Sequence, residues 1–261
     1  MKRMNLLATG LILGLTAGLM TTVSSQVRAV TDSSTIEKIE AAVADERRPE
    51  ADRVRDANRK PLETLTFFGL KEDMQVLELL PGGGWYTRIL APVLNDKGKL
   101  YISIGAERAA AALEGEAGFE NMSLIPFDRA RFSRPEGSRQ SDVPAFSFGV
   151  KKLDMVLTFR NQHNFTATGR RNLNQAVFEA LKKGGTYGII DHTRRHMEGD
   201  HAEVWRRMDP VLIIKEVQEA GFQLVDYSTL HYRPDDELHY EVGRKSVTGN
   251  TDRFTLLFIK P

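Results

Sequence analysis

The chain has 261 residues, which fits one large domain or two small ones, and 41% of them are hydrophobic, enough for a substantial core. It contains no cysteine, which excludes disulfides and thiolate chemistry. Its formal net charge of +1 lacks the strongly basic balance that is typical of nucleic-acid-binding proteins, so we expect no nucleic-acid partner.

The first 29 residues have the pattern of a secretory signal peptide. Lys2 and Arg3 precede an uncharged run over residues 4–27, and Val27-Arg28-Ala29 resembles a cleavage site. The alternative is a retained membrane anchor, but mostly polar residues at 21–26 shorten the run below the roughly 20 apolar residues that a spanning helix needs. Cleavage near Ala29 predicts an exported, periplasmic protein that is not held in the membrane. The chain that remains has 33 basic and 35 acidic side chains.

Residues 30–66 are predicted to form a helical extension. Apolar residues recur at helical spacing from Ile36 onward, and Pro49 and Pro61 divide the stretch into two or three helices. A dense cluster of charged side chains follows, formed by Arg53, Arg55, Asp56, Arg59 and Lys60. This cluster is either a solvated helix face or a lid or anion clamp over a site.

Residues 67–261 alternate between strand and helix patterns. Short apolar runs predict seven strands, at residues 75–80, 100–104, 122–125, 155–159, 187–190, 222–227 and 255–259. Helical spacing predicts helices at residues 85–94, 107–113, 171–182 and 202–220. This alternation indicates one α/β domain with a doubly wound, mostly parallel sheet. Because no convincing helix separates the last two strands, we expect the last strand to be antiparallel.

A glycine turn between the first strand and its helix gives the strongest ligand-binding signal. Glu78 lies in the strand, and Pro81-Gly82-Gly83-Gly84 leads into the helix. Glycine lets the backbone approach a ligand without a Cβ, and a helix start presents free N–H groups to polar or anionic atoms. Glu78 can orient the turn or accept a hydrogen bond from a ligand's ammonium group. The alternative is a turn that needs glycine for steric reasons alone.

The stretch from Glu78 to Thr87, Glu-x-x-Pro-Gly-Gly-Gly-Trp-Tyr-Thr, resembles the first motif of class I S-adenosylmethionine-dependent methyltransferases. A branch of predicted exported methyltransferases of unknown substrate is similar at further stretches. These are Arg55-Asp56 through Arg59-Lys60-Pro61, Thr158 to His163, Leu181 to Gly185, Asp191-His192, Ala220 to Phe222 and Thr251 to Phe254. The resemblance spans about residues 53–261 and implies a Rossmann-like methyltransferase fold that binds S-adenosylmethionine.

The resemblance also implies which residues bind the cofactor. Around the methionine end it places Glu78, Pro81, Gly82, Gly83 and Gly84, and beside the adenine it places Asp128. Two positions depart from the family pattern. Leu80 stands where the first glycine is usual, and the second strand ends in Ile104-Gly105, where most members have an acid for the ribose hydroxyls.

Polar side chains follow two further strands of the predicted sheet. Asn161 and His163 come after one, and Asp191 and His192 after the other. Because ligands bind at the carboxyl ends of parallel strands, these four residues are the predicted catalytic residues. Either His163 or His192 can serve as the base that methyl transfer sometimes needs, since imidazole titrates near neutrality. The alternative for each histidine is a hydrogen-bonded structural role.

The same four side chains offer nitrogen and oxygen ligands for a divalent metal, as in metal-assisted O-methyltransferases. His192 and His196 also have the spacing that suits zinc on a helix, but no acid occupies the Glu position of a His-Glu-x-x-His motif. A bound metal is therefore the less favoured interpretation, and no metal ligand is assigned.

The predicted function is methyl transfer from S-adenosylmethionine to an oxygen or nitrogen of a small molecule. The alternative is an exported, non-catalytic protein that binds a small molecule on the same fold. Export favours the alternative, because the methyl donor is made in the cytoplasm. The polar side chains at two adjacent strand ends favour the enzyme.

Overall fold

The computed structural model describes residues 30–261, so the predicted signal peptide lies outside the described residues. Four helices come first, and they are α1 (Ser33–Ala44), α2 (Glu50–Arg53), α3 (Asp56–Arg59) and α4 (Pro61–Phe68). Lys60 separates α3 from α4 because its φ of 44° is left-handed. Gly69 ends α4 in the left-handed conformation that glycine favours at helix ends. The N-terminal segment thus contains one helix more than the sequence predicts.

Seven strands form one sheet. They are β1 (Gln75–Leu79), β2 (Lys99–Ser103), β3 (Met122–Ile125), β4 (Leu153–Phe159), β5 (Leu181–His192), β6 (Gln223–Ser228) and β7 (Arg253–Ile259). Their spatial order is β3-β2-β1-β4-β5-β7-β6. The first five strands run parallel, and β7 runs antiparallel between β5 and β6, which confirms the predicted sheet. The strand order reverses between β1 and β4, where open α/β sheets form a crevice for ligands.

Four further helices connect the strands, and they are α5 (Thr87–Leu94), α6 (Glu107–Leu113), α7 (Ala167–Ala180) and α8 (Pro210–Glu219). The helix predicted to begin at residue 202 is wrong in its first eight residues, since residues 202–206 form turns. The Asp209 carboxylate accepts a hydrogen bond from the Val211 N–H at 2.9 Å, and Pro210 has the fixed φ of a first helical residue. This cap sets the start of α8.

Two buried clusters cover the two faces of the sheet. Successive strand residues face opposite sides, and Val76 and Leu77 of β1 accordingly belong to different clusters. One cluster joins α1, α4 and α5 to the sheet, and Ile39 of α1 lies in it fully buried. The other joins α7 and α8 to the sheet. The N-terminal helices therefore share a core with the strands, which holds α2 and α3 near the end of β1. Within residues 30–261, no helix is long and apolar enough to cross a membrane.

Candidate functional site

The glycine turn lies at the carboxyl end of β1, where the strand order reverses. Gly82 and Gly84 have φ angles of 60° and 82°, which explains the need for glycine at both. Leu80 also has a positive φ, 50°. The turn therefore keeps a left-handed residue at the position where the family pattern has its first glycine, at a cost of roughly 1–2 kcal/mol for a residue with a Cβ.

Open space faces the middle of the turn. A Cβ added to Gly82 or Gly83 would meet no atom within 4 Å. The space belongs to a cavity of about 200 Å³ lined by Pro81–Gly83, Glu78, Asn161 and a wall of aromatic and arginine side chains. We name this space the turn cavity. It gives a ligand close access to the backbone of the turn.

Glu78 is the acidic group of the turn cavity. Its side chain is buried, and its carboxylate accepts a hydrogen bond from the Thr87 hydroxyl at 2.6 Å. Burial raises the pKa of Glu78 to about 7, and the Thr87 hydrogen bond and the charge of Arg59 oppose that rise. An ammonium group in the cavity would stabilise the ionised carboxylate further. Glu78 is thus suited to bind a cationic nitrogen.

An aromatic wall joins the N-terminal helices to the turn. The Tyr86 ring stacks on Phe159 with centroids 3.6 Å apart, and Trp85 meets Tyr86 edge-on at 4.5 Å. The Arg59 guanidinium lies 4.3 Å over the Trp85 ring, and the Trp85 Nε1–H donates to the Asp52 carbonyl at 2.9 Å. The charged cluster before the domain therefore lines the cavity with Arg55 and Arg59 instead of forming only a solvated helix face.

Asn161 connects the ends of β1 and β4. Its side-chain nitrogen lies 3.3 Å from the Leu79 carbonyl oxygen and 3.2 Å from that of Phe159. Its side chain also lines the turn cavity. The contacts give Asn161 a role in holding the turn, and its predicted part in catalysis stays a prediction.

The structure brings His163, Asp191 and His192 together at the ends of β4 and β5. His163 Nδ1 lies 2.7 Å from Asp191 Oδ1, and the backbone N–H groups of His163 and His192 donate to the same carboxylate at 3.1 and 2.8 Å. All three side chains are buried. Asp191 therefore fixes the two histidines, whose ring centroids are 6.0 Å apart. The catalytic assignment of the three residues stays a prediction.

His192 lines a second cavity of about 510 Å³, which adjoins the turn cavity and shares Arg55, Arg59 and Arg160 with it. Its Nδ1 lies 2.9 Å from the Thr251 hydroxyl. Burial, followed by the charge of Arg253, holds the pKa of His192 well below its usual value. The imidazole is therefore neutral near pH 7.

We name the second space the arginine cavity, because its walls include the three shared arginines, Arg206 and Arg253. The predicted site residues include neither Arg160 nor Arg253, and Arg59 enters only through the charged cluster, for which a lid or anion clamp is one of the two interpretations. The sequence could have indicated Arg253, because an antiparallel last strand begins at the edge of the sheet where the neighbouring parallel strand ends. The structure pairs His192 of β5 with Arg253 of β7 in this way.

Asp128 does not line either cavity. Its side chain is exposed, and its carboxylate accepts a hydrogen bond from the Ala130 N–H at 2.9 Å at the start of a 3₁₀ helix, Arg129–Arg131. The predicted contact with adenine therefore stays a prediction. At the end of β2, Ile104 and Gly105 offer no carboxylate.

The structure does not support a zinc site at His192 and His196. Strand β5 ends at His192, so the two histidines do not share a helix, and His196 Nδ1 lies 2.9 Å from an Asp209 carboxylate oxygen. Among residues 30–261, no group of three or more histidine, aspartate and glutamate side chains is arranged to hold a metal ion.

Solved structures with a similar fold include methyltransferases. An S-adenosylmethionine-dependent methyltransferase from Aquifex aeolicus aligns over 87% of this chain and 98% of its own, with a TM-score of 0.53 and 16% identity. The glycopeptide N-methyltransferase MtfA, complexed with S-adenosylmethionine, aligns over 79% and 94%, with a TM-score of 0.51 and 16% identity. The [4+2]-cyclase SpnF aligns over 90% and 98%, with a TM-score of 0.53 and 14% identity.

At these identities the similarity establishes the fold, which is methyltransferase-like. No protein-family model matches the chain, and no curated protein matches its sequence. The cyclase among the similar structures has a different named activity. The fold alone therefore does not identify the reaction, which depends on the residues of the site.

Proposed function

We propose that the chain transfers a methyl group from S-adenosylmethionine to an oxygen or nitrogen atom of a small molecule. The observation that carries this proposal is the turn cavity, which combines a buried acid, an open glycine turn and a helix start at the point where the strand order reverses. The similar solved structures that are named for this donor support it.

The residues of the turn cavity fit the methionine end of the donor. Glu78 would accept hydrogen bonds from the ammonium group, and the missing Cβ atoms of Gly82 and Gly83 leave room for the chain of the ligand. The cavity is smaller than the roughly 300–1,000 Å³ of typical small-molecule sites, so it suits one end of the donor only. The adenosine end would extend over the ends of β2 and β3.

His192 is the residue we propose as the base. It is neutral, and the arginine cavity that it lines adjoins the turn cavity. When an acceptor oxygen or nitrogen bonds to the methyl carbon, the carbon–sulfur bond breaks and the acceptor loses a proton. His192 is placed to take that proton. Asp191 would act as a positioning residue through its hydrogen bonds to both histidines.

Calorimetric titration of the purified chain with S-adenosylmethionine and S-adenosylhomocysteine tests the proposal. We expect both ligands to bind and Gly83→Val to abolish binding, because the new side chain enters the open space in front of the turn. Gly199→Val is the matched control, since a Cβ there also meets no atom within 4 Å but lies outside both cavities. The absence of binding to the unaltered chain at millimolar ligand contradicts the proposal.

A second candidate is an exported binding protein that has the fold without catalysis. Two observations favour it, namely the lack of a carboxylate at the end of β2 and the turn-capping contact of Asp128. The predicted signal peptide would also separate the chain from the cytoplasm, where the donor is made. The same titration separates the two candidates, because only the methyltransferase requires the donor to bind.

A further inference from the structure

Three arginines of the arginine cavity have no carboxylate of the described residues within ion-pair distance. Within residues 30–261, Arg59, Arg160 and Arg253 form no ion pair, and no aspartate or glutamate lines the cavity. Arg59 and Arg253 are only 6% and 7% exposed, so little of either side chain faces solvent. Burying a cation without an opposite charge costs free energy, which calls for an explanation.

The few contacts of these side chains leave donors unused. Arg253 donates one hydrogen bond, from Nη1 to the Asn58 carbonyl oxygen at 3.2 Å, and its Nε–H is buried with no partner. The Arg59 guanidinium lies against the face of Trp85. A guanidinium carries five N–H donors, so most of the donors of Arg253 are free.

Other arginines near the site are paired. Arg207 is fully buried, and Asp236 accepts two of its hydrogen bonds at 2.9 and 3.0 Å, while two carbonyl oxygens accept others. Arg206, at the rim of the cavity, pairs with Glu241. The fold thus forms an ion pair where a buried arginine is structural, and forms none with Arg59, Arg160 or Arg253. The charges of Glu78 and Asp191 act on Arg59 and Arg160 from beyond ion-pair distance.

The three cations also repel one another. Burial and the charges of Arg160 and Arg55 lower the pKa of Arg59 to about 8, and burial and Arg160 lower that of Arg253 to about 10. Burial followed by Arg55 lowers the pKa of Arg160. An anion among them would offset both the burial and the repulsion.

We propose that the arginine cavity is the acceptor site and that it takes a small organic acid, whose carboxylate or phosphate group binds between Arg160 and Arg253. The planar guanidinium matches both groups through paired hydrogen bonds. The cavity volume of about 510 Å³ is that of a small-molecule site. Because His192 and Thr251 line the same cavity, an anchored acid would present its other polar groups beside the proposed base.

Arg253 distinguishes the acceptor from the methyl donor. The carboxylate of the donor would lie in the turn cavity, where Arg59 and Arg160 can reach it, but Arg253 lines the arginine cavity alone. The assignment as acceptor site rests on the proposed methyl transfer, whereas anion binding at Arg253 does not.

The test titrates inorganic phosphate and malonate calorimetrically into the purified full chain and three variants. We expect Arg253→Gln and Arg160→Gln each to weaken binding about tenfold or more, because each removes charge-assisted hydrogen bonds. Arg134→Gln, an exposed loop residue, is the charge-matched control and should bind like the unaltered chain. Without anion, Arg253→Gln should melt no lower than the unaltered chain, since it relieves repulsion. The stronger of the two probes identifies the anionic group.

Three results overturn the proposal. The first is that Arg253→Gln binds both probes as tightly as the unaltered chain, and the second is that the unaltered chain binds neither probe. The third is one-for-one displacement of the probes by S-adenosylhomocysteine, which would assign the arginines to the donor. Probe binding that depends on Arg253 in a chain that does not bind S-adenosylhomocysteine supports the anion site and overturns the methyl-transfer assignment. If the chain binds S-adenosylhomocysteine but neither probe, the methyl-transfer proposal is supported and the anion site is overturned.

Discussion

Left-handed residues end three neighbouring strands of the sheet. Leu80, Ile104 and Arg160 follow β1, β2 and β4, with φ angles of 50°, 59° and 63°. Each costs roughly 1–2 kcal/mol, and such strain gathers at functional sites, where the surrounding structure enforces it. The sequence does not reveal this, because apolar residues such as Leu80 and Ile104 extend the strand pattern by one position. Leu80 has the left-handed φ that a glycine would favour, at the position where the methyltransferase pattern has its first glycine.

The raised pKa of Glu78 predicts a pH dependence of stability. The carboxyl titrates near 4.5 in the unfolded chain and near 7 in the folded one. Between these values the unfolded chain has lost a proton that the folded chain keeps, so the free energy of unfolding falls as pH rises. At 1.36 kcal/mol per pKa unit the loss is about 3 kcal/mol in total.

Glu78→Gln should remove this loss, because glutamine cannot ionise and can still accept the hydrogen bond from Thr87. Urea denaturation between pH 4 and 8 measures the free energy of unfolding of both chains. The stability of the variant relative to the unaltered chain should rise with pH. Glu40→Gln, on the exposed side of α1, is the control. Stability curves of Glu78→Gln and the unaltered chain that stay parallel over this range would contradict the assignment.

The antiparallel β7 has two effects at the level of secondary structure. It completes the sheet, and its first residue, Arg253, enters the site opposite His192. The sequence predicts the direction of β7, because no helix precedes it. That direction also places the first residue of β7, Arg253, at the site. A search limited to the carboxyl ends of the parallel strands does not find this residue.

The connection between β6 and β7 closes the site. The connection is polar in sequence, as solvated loops are, but His231 and Asp236 are buried in it. Val242, Gly243, Thr248 and Gly249 line the arginine cavity. His231 Nε2 lies 3.0 Å from the Arg59 carbonyl oxygen, which ties this connection to α3. Buried polar partners far apart in the sequence hold the loop, so local pattern cannot predict its position.

Removal of the Asp236 carboxylate should destabilise the chain strongly. Asp236→Ala leaves the fully buried Arg207 without its ion pair, and breaking such a pair typically costs about 3–5 kcal/mol. Asp235→Ala is the neighbouring control, since that side chain is exposed and should change the stability by much less. Chemical denaturation compares the two, and equal losses would show that the ion pair is not what holds the connection.

At the scale of the whole molecule, the spacing of apolar residues predicts the fold, but the sequence predicts only part of the site. Apolar runs predict all seven strands, and the glycine turn predicts one cavity. The helix start at Pro210 and the helices α2 and α3 depend on caps and single-residue conformations that apolar spacing does not show. The arginine cavity combines residues of α2, α3, β5 and β7 with Arg160, which follows β4, and with loop residues, so it exists only once the chain has folded.

Export is a prediction for the whole chain. If the signal peptide is cleaved after Ala29, the protein recovered from the periplasm begins at Val30, and its intact mass measures this directly. A retained leader gives a higher mass, so the same measurement distinguishes a cleaved chain from an anchored one. A full-length chain in the cytoplasmic fraction would contradict export and remove the main objection to a methyl donor that is made there.

The unpaired arginines also bear on how long the chain survives in a cell. A compound that binds only the folded state lowers the population of opened states, and proteases cut those states. A protein molecule with a ligand bound in the arginine cavity would therefore be degraded more slowly than one in which the cavity holds no ligand. The amount of this protein in the cell would then rise with the concentration of its acidic ligand, even if the protein catalysed no reaction on that ligand.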